Sequence, residues 1–382
     1  MLKPTHRLGY YTVGNQVTES KIEACIMGSK QNIHPEWQFD NHVWNNAPWK
    51  VEPDISILQL YEMRARQIRE QYDYVIINYS GGSDSQTVVD AFLKAGCHID
   101  EIVTIWNRKH TKDLWLNHSV TDARNIEAEF DLTTKPGLEA IKNASPNTKI
   151  TYLDISDAVV EKFTQFDGEE WLSTTNEHLH PQFVTRYCAT REKDQLTTLD
   201  KGLKTAVVFG TDKPRITIKD GKYYVYFIDT IVNSHKAPSN RPEYTNLDHV
   251  LFYWSSECPD IVIKQAHMIR RWFEANPALK PLIAWPNHNY NKRQAYEYIA
   301  RSIVYPGWDL GKFQCVKTSN SVYSEWDNWF FQEFKGTTLY QNWYKGVQYV
   351  EANVDRKFLN YTIDNQFDGF VGFINGHFCL DA

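Results

Sequence analysis

The feature that most constrains the chain is an apolar run, Tyr74-Val75-Ile76-Ile77-Asn78-Tyr79, followed at once by Ser80-Gly81-Gly82-Ser83-Asp84-Ser85 and then by Gln86 to Ala95. The first run reads as a buried strand. The last reads as an amphipathic helix, with Val88, Val89, Phe92 and Leu93 at helical spacing and Gly96 as its stop. A strand, a glycine-rich turn and a helix in that order place a row of backbone N–H groups at a helix start, beyond the strand's C-terminal end. Such a place binds anions. Gly81 and Gly82 remove two adjacent Cβ atoms so that backbone can wrap a phosphate, and Ser80, Ser83 and Ser85 add hydroxyl donors. Asp84 is the odd member, because a carboxylate among phosphate-binding groups is repulsive unless a cation bridges them. It reads as a Mg2+ ligand, with a plain helix cap as the alternative.

The surrounding pattern predicts an α/β fold, a mostly parallel sheet with helices on both faces. Further strands are expected at Glu101 to Trp106, Lys149 to Asp154 and Thr205 to Phe209, with a helix capped by Ser156 after the third strand. Lys219-Asp220-Gly221-Lys222 is a turn signal that pairs Arg215 to Ile218 with Tyr223 to Asp229 as an edge hairpin. Before the sheet, residues 1–70 read as an extension that ends in a helical pattern from Ile55 to Gln71. Beyond about Ser234 the strand-helix alternation fades, and Cys258-Pro259-Asp260 opens a helix running to about Ala275. The expected organisation is therefore an extension (1–70), an α/β domain (71–233) and a mainly helical, aromatic-rich C-terminal domain (234–382) that faces substrate.

With 41 basic and 47 acidic residues, the net charge of −6 supplies no overall drive toward nucleic acid or anionic membrane. No apolar run approaches a membrane span, which predicts a soluble, cytoplasmic protein without a membrane partner. Six scattered cysteines without a C-x-x-C pair favour reduced thiols over disulfides or a zinc site. The 13 Trp and 22 Tyr offer stacking surfaces for a flat ligand, although most such rings fill cores and contacts between units.

The loop lacks the G-K-[ST] ending of a Walker A motif and the G-x-G-x-x-G of a dinucleotide fold. It resembles instead the S-G-G-x-D-S signature of the PP-loop ATP pyrophosphatases, a superfamily that includes sulfonucleotide reductases, tRNA thiolases and several synthetases. The resemblance covers Gln71 to about Asp229 and implies an adenine nucleotide alpha hydrolase-like fold, with ATP and Mg2+ as cofactors. It also implies ATP contacts from Ser80 to Ser85 and from Gly210 and Thr211, with Ile105 and Trp106 along adenine. Asp212 becomes a second Mg2+ ligand beside Asp84, and Lys213 neutralises phosphate charge; a polar turn into the hairpin is the alternative for this segment. Over its full length the chain is similar to bacteriophage proteins labelled phosphoadenosine phosphosulfate reductase-like, through Phe209 to Pro214, Phe252-Tyr253-Trp254 and Lys264-Gln265-Ala266-His267.

The implied chemistry is attack of a substrate oxygen on the α-phosphorus with loss of pyrophosphate, leaving an adenylylated substrate for a nitrogen or sulfur nucleophile. The substrate is an unidentified small molecule or nucleotide. Ser83 stands where sulfonucleotide reductases carry Lys, and the sequence near the end, Gly376-His377-Phe378-Cys379-Leu380, lacks their reactive-cysteine tail, so reduction is disfavoured. Reduction or thiolation would fall to Cys188, whose thiolate nearby cations can favour. The alternative is a buried, inert cysteine. Arg191 and Lys193 either hold an anionic substrate or belong to a solvated helix face. His178 and His180 read as a polar loop and His267 as a satisfied histidine. A non-catalytic nucleotide-binding or virion-associated protein, and a homo-oligomer, are also compatible with the sequence.

Overall fold

In a computed structural model that describes residues 8–105, 130–153, 202–233, 246–286, 290–308, 334–361 and 367–381, the chain opens with a small antiparallel sheet. Strands β1 (Tyr10–Val13), β2 (Gln16–Thr18) and β3 (Glu36–Gln38) stand in the order β2-β1-β3. Helix α1 (Lys21–Gln31) follows β2, its N-terminus capped by the Ser20 hydroxyl, which accepts from the Glu23 N–H. After the short α2 (Asn41–Trp44), α3 (Ile57–Gln71) starts with Ser56 and Gln59 forming a reciprocal capping box. This start lies two residues inside the expected helical stretch.

Strand β4 (Tyr74–Asn78) buries Val75, Ile76 and Ile77 completely, and it leads through the glycine loop into α4 (Ser83–Lys94). The next strands are β5 (Glu101–Ile105), β6 (Lys149–Leu153), preceded by α5 (Lys135–Ala144), and β7 (Thr205–Phe209). Each fully buried Val or Ile stabilises the fold by roughly 1.5–3 kcal/mol relative to exposure, so β4 and the wholly buried β7 are the natural centre of the sheet. The observed order is β10 (Leu247–Leu251)-β7-β4-β5-β6, with every neighbouring pair parallel.

The fifth strand, β10 (Leu247–Leu251), follows β8 (Arg215–Lys219), β9 (Lys222–Tyr226) and the short α6 (Asp229–Asn233). It lies past residue 233, where the α/β unit was expected to end. As an edge strand it buries only Val250 and Leu251, and its Leu-Asp-His start gives no continuous apolar signal. The β8–β9 hairpin forms about Asp220 and Gly221, both at positive φ, as the turn residues predict. It joins β13 (Phe378–Cys379) in a separate three-stranded sheet and does not extend the parallel one.

The later part of the chain contributes α7 (Pro259–Ala275), with Pro259 in its first turn as expected, then α8 (Tyr290–Val304) and α9 (Thr338–Asn353). It also contributes β11 (Leu359–Tyr361) and β12 (Phe367–Phe370), which pair with each other, besides β10 and β13. These residues therefore build strands as well as helices. The aromatic richness is largely spent on packing: Trp44 lies 4.6 Å from Phe227 between ring centroids, and Trp49 stacks on Phe378 at 4.9 Å. This layer joins the extension to the hairpin sheet. A wholly buried ion pair, Lys21 to Asp229 at 2.9 Å, ties the same regions, with Tyr11 and the Phe373 N–H also donating to Asp229. No helix among the described residues is long and apolar enough to cross a membrane.

Candidate functional site

The glycine loop leaves the C-terminal end of β4 with Gly81 at φ 76°, a left-handed conformation that glycine adopts without strain. A Cβ there would also overlap the Thr134 hydroxyl and come within 2.7 Å of Thr134 Cα. Thr134 in turn donates to the Ser80 carbonyl at 3.0 Å, so residues just before α5 brace the loop. Gly82 is the N-cap of α4, and among the described residues no side chain caps that helix start. Within the loop, Ser85 Oγ accepts from the Ser80 N–H at 3.2 Å and donates to the Gly82 carbonyl at 3.1 Å. Ser83 and Ser85 are both buried. The result is a tight turn, held by its own hydroxyls, whose first-turn N–H groups lack a capping side chain.

The second predicted loop lies against the first. Strand β7 is the direct neighbour of β4, so Gly210 emerges beside the start of α4. A Cβ on Gly210 would stand 2.7 Å from the Asp84 carbonyl oxygen and 3.0 Å from the Ser85 nitrogen. Lys213, 2% exposed, reaches Asp84 Oδ1 at 3.1 Å, Asp212 Oδ1 at 2.7 Å and Glu297 Oε2 at 2.8 Å. Asp84, Asp212, Lys213, Gly210 and Thr211 thus form one neighbourhood with Ser80 to Ser85.

Five further residues, Glu297, Arg215, Arg301, Tyr305 and Tyr253, join this neighbourhood without having been assigned a site role from the sequence. Arg215 bonds Asp212 Oδ2 at 2.9 Å and also pairs with Glu297. From α8, Arg301 lies 3.8 Å from Asp84 Oδ2, while Tyr305, just beyond α8, donates to Asp84 Oδ1. Tyr253 donates to the Asp84 carbonyl at 2.9 Å. Glu297, Arg301 and Tyr305 are spaced i, i+4, i+8, which places them on one helix face; that spacing was the available clue.

Burial works against the charges of Asp212, Lys213, Arg215, Glu297 and Arg301, and the opposite charges outweigh it. For Asp212, burial would raise the carboxyl pKa, but Lys213 and Arg215 hold it below its ordinary value. For Glu297, burial is likewise overcome by Arg215 and Lys213. Burial would lower Lys213, yet Asp212, Asp84 and Glu297 raise it, so its ammonium persists throughout the ordinary pH range. Tyr305 is pushed well above its ordinary value by burial and by Asp84, which keeps its hydroxyl a donor.

Among the described residues no group of three or more His, Cys, Asp or Glu side chains is arranged to hold a metal. Asp84 and Asp212 nevertheless converge on one cation, the Lys213 ammonium. Two hard carboxylates are the donor type that Mg2+ takes, usually one or two of them together with phosphate oxygens.

Ile105 ends β5, next to β4. Trp106, Cys188, Arg191 and Lys193 lie outside the described residues, as do His178, His180 and the helix expected after Ser156. His267 is buried, with Nε2 2.9 Å from the Trp49 carbonyl, which suits a satisfied core histidine. No protein-family model matches the chain, and no curated protein matches it either.

Proposed function

We propose that the chain is a Mg2+-dependent ATP pyrophosphatase of the PP-loop type, with an adenine nucleotide alpha hydrolase-like domain, that adenylylates an oxygen of a small-molecule or nucleotide substrate. The observation that carries the reading is the meeting of Ser80–Ser85 with Gly210–Lys213 at the ends of β4 and β7. Strand order reverses between these two strands, and ligands of open parallel sheets bind beyond the strand ends at such a reversal.

In this reading the uncapped N–H groups of α4 and the turn at Gly81 and Gly82 hold the pyrophosphate portion of ATP. Lys213 is fixed as a cation beside them. Asp84 and Asp212 would hold Mg2+, which when bound offsets negative charge on the phosphates. By the resemblance, the adenine side falls to Ile105, which ends β5, and to Trp106, the next residue in the sequence. A substrate oxygen forms a bond to the α-phosphorus as the bond from that phosphorus to the bridging oxygen breaks, and the electron pair leaves with pyrophosphate. Residues beyond 234 supply the opposite wall through Glu297, Arg301 and Tyr305.

The test is incubation of the full chain with Mg2+ and α-labelled ATP. Pyrophosphate together with labelled AMP or a labelled adenylyl adduct is the expected outcome. Labelled ADP contradicts the reading, and tight binding without cleavage replaces the enzyme by a nucleotide-binding module.

A further inference from the structure

Arg301 enters the candidate site from α8 and is 8% exposed. Among the described residues its Nε has no hydrogen-bond partner. The carboxylates that face it are Asp84, with Oδ2 3.8 Å from Nε, and Glu297, with Oε2 3.7 Å from Nη2. Both distances are attractive for opposite charges and too long for hydrogen bonds. Those carboxylates already have closer donors: Lys213 and Tyr305 at Asp84, and Lys213 and Arg215 at Glu297.

A guanidinium carries five N–H donors in a planar fork, and buried donors left unmatched are costly. The fork matches the paired oxygens of a carboxylate or a phosphate, and phosphate is the group that a nucleotide would bring here. The cluster of Asp84, Asp212 and Glu297 against Lys213, Arg215 and Arg301 holds three negative and three positive groups. Lys213 and Arg215 have short bonds in it. Arg301 does not, so it can turn to a new anion at the least cost. That anion would lie beside Asp84, in the first turn of the uncapped helix α4.

We infer that Arg301 binds a phosphate oxygen of the nucleotide held at the Ser80–Ser85 loop, an inference that rests on the nucleotide reading above. Its loose contacts with Asp84 and Glu297 are exchanged for a forked contact with phosphate. The residue makes α8 part of the binding site, 217 positions after Asp84 in the chain (301 less 84).

The test is calorimetric titration of the full chain and of Arg301→Gln and Arg301→Lys with ATP and with inorganic pyrophosphate, in Mg2+ buffer at two ionic strengths. Charge-assisted bonds of this kind make the expected loss in Arg301→Gln about 10- to 100-fold for pyrophosphate. Arg301→Lys, which keeps the charge without the fork, is expected to fall between that variant and wild type. The salt dependence of pyrophosphate affinity should be shallower in Arg301→Gln, because one screened attraction is gone. Unchanged pyrophosphate affinity in Arg301→Gln, with ATP binding intact in wild type, overturns the inference and leaves the nucleotide reading standing. A loss with unchanged salt dependence marks a merely structural residue and also overturns it. Failure of the wild-type chain to bind ATP overturns both.

Discussion

Gly210 abuts the backbone of Asp84 so closely that an added Cβ would stand 2.7 Å from the Asp84 carbonyl oxygen and 2.8 Å from its carbonyl carbon. Both atoms are main chain at the start of α4, so neither can swing aside as a side chain would. Gly210→Ala must therefore displace the glycine loop or the end of β7. Overpacking of this kind costs roughly 1–3 kcal/mol, to be read from denaturant melts, and nucleotide affinity should fall with it. Gly221→Ala provides the contrast. Its Cβ meets nothing within 4 Å, so only the φ of 76° resists, at about 1–2 kcal/mol, and nucleotide binding should be unchanged.

Glu297→Gln leaves Lys213 and Arg215 without a carboxylate they share. Removing one member of a buried ion cluster typically costs about 3–5 kcal/mol, because the remaining charges stay desolvated. Urea titration should show a lowered midpoint with an unchanged slope. A stability equal to wild type would mean that water replaces the carboxylate.

The pH dependence follows from the directions of the shifts. Asp212 and Glu297 are held below their ordinary values of 3.8 and 4.5, so their contribution is fully present above those values and is lost as pH falls through the depressed folded ones. Lys213 is raised above its ordinary 10.5, so its contribution is present below that value and is lost only as pH rises through the elevated folded one. The stability gap between wild type and Glu297→Gln should be level from mildly acidic to mildly alkaline pH and close in strong acid. Melts across the acid range check this.

Asp84→Asn removes the charge that faces Lys213, Tyr305 and Arg301 while keeping the side chain's size. The expected outcome is a loss of ATP cleavage of at least about 100-fold, comparable to removing one electrostatic group from a reacting site. The fold should persist by circular dichroism. Full cleavage activity in the variant would remove Asp84 from the mechanism.

The parallel sheet was legible because its central strands are continuous apolar runs: Tyr74–Asn78 and Thr205–Phe209 lie where the pattern put them. Leu247–Leu251 was missed because an edge strand needs apolar residues at only part of its length. The first loop could be read from its glycines and its charge, the second only through the resemblance, and their contact follows from the adjacency of β4 and β7. The cluster's third wall could not. Glu297 and Arg301 sit in an amphipathic helix whose charged face reads as solvated, and only packing turns that face toward Asp84. His267, read as a satisfied histidine, is buried against the Trp49 carbonyl.

Tyr305, which bonds Asp84, is 221 residues downstream of it. During synthesis the glycine loop therefore leaves the ribosome long before the hydroxyl and guanidinium that face its aspartate exist. A nascent chain halted between them carries the loop's sequence but only part of its electrostatic surroundings. Moving Ser80–Ser85 with its strand and helix onto another scaffold would reproduce that immature state, with Asp84 lacking the partners that surround it here.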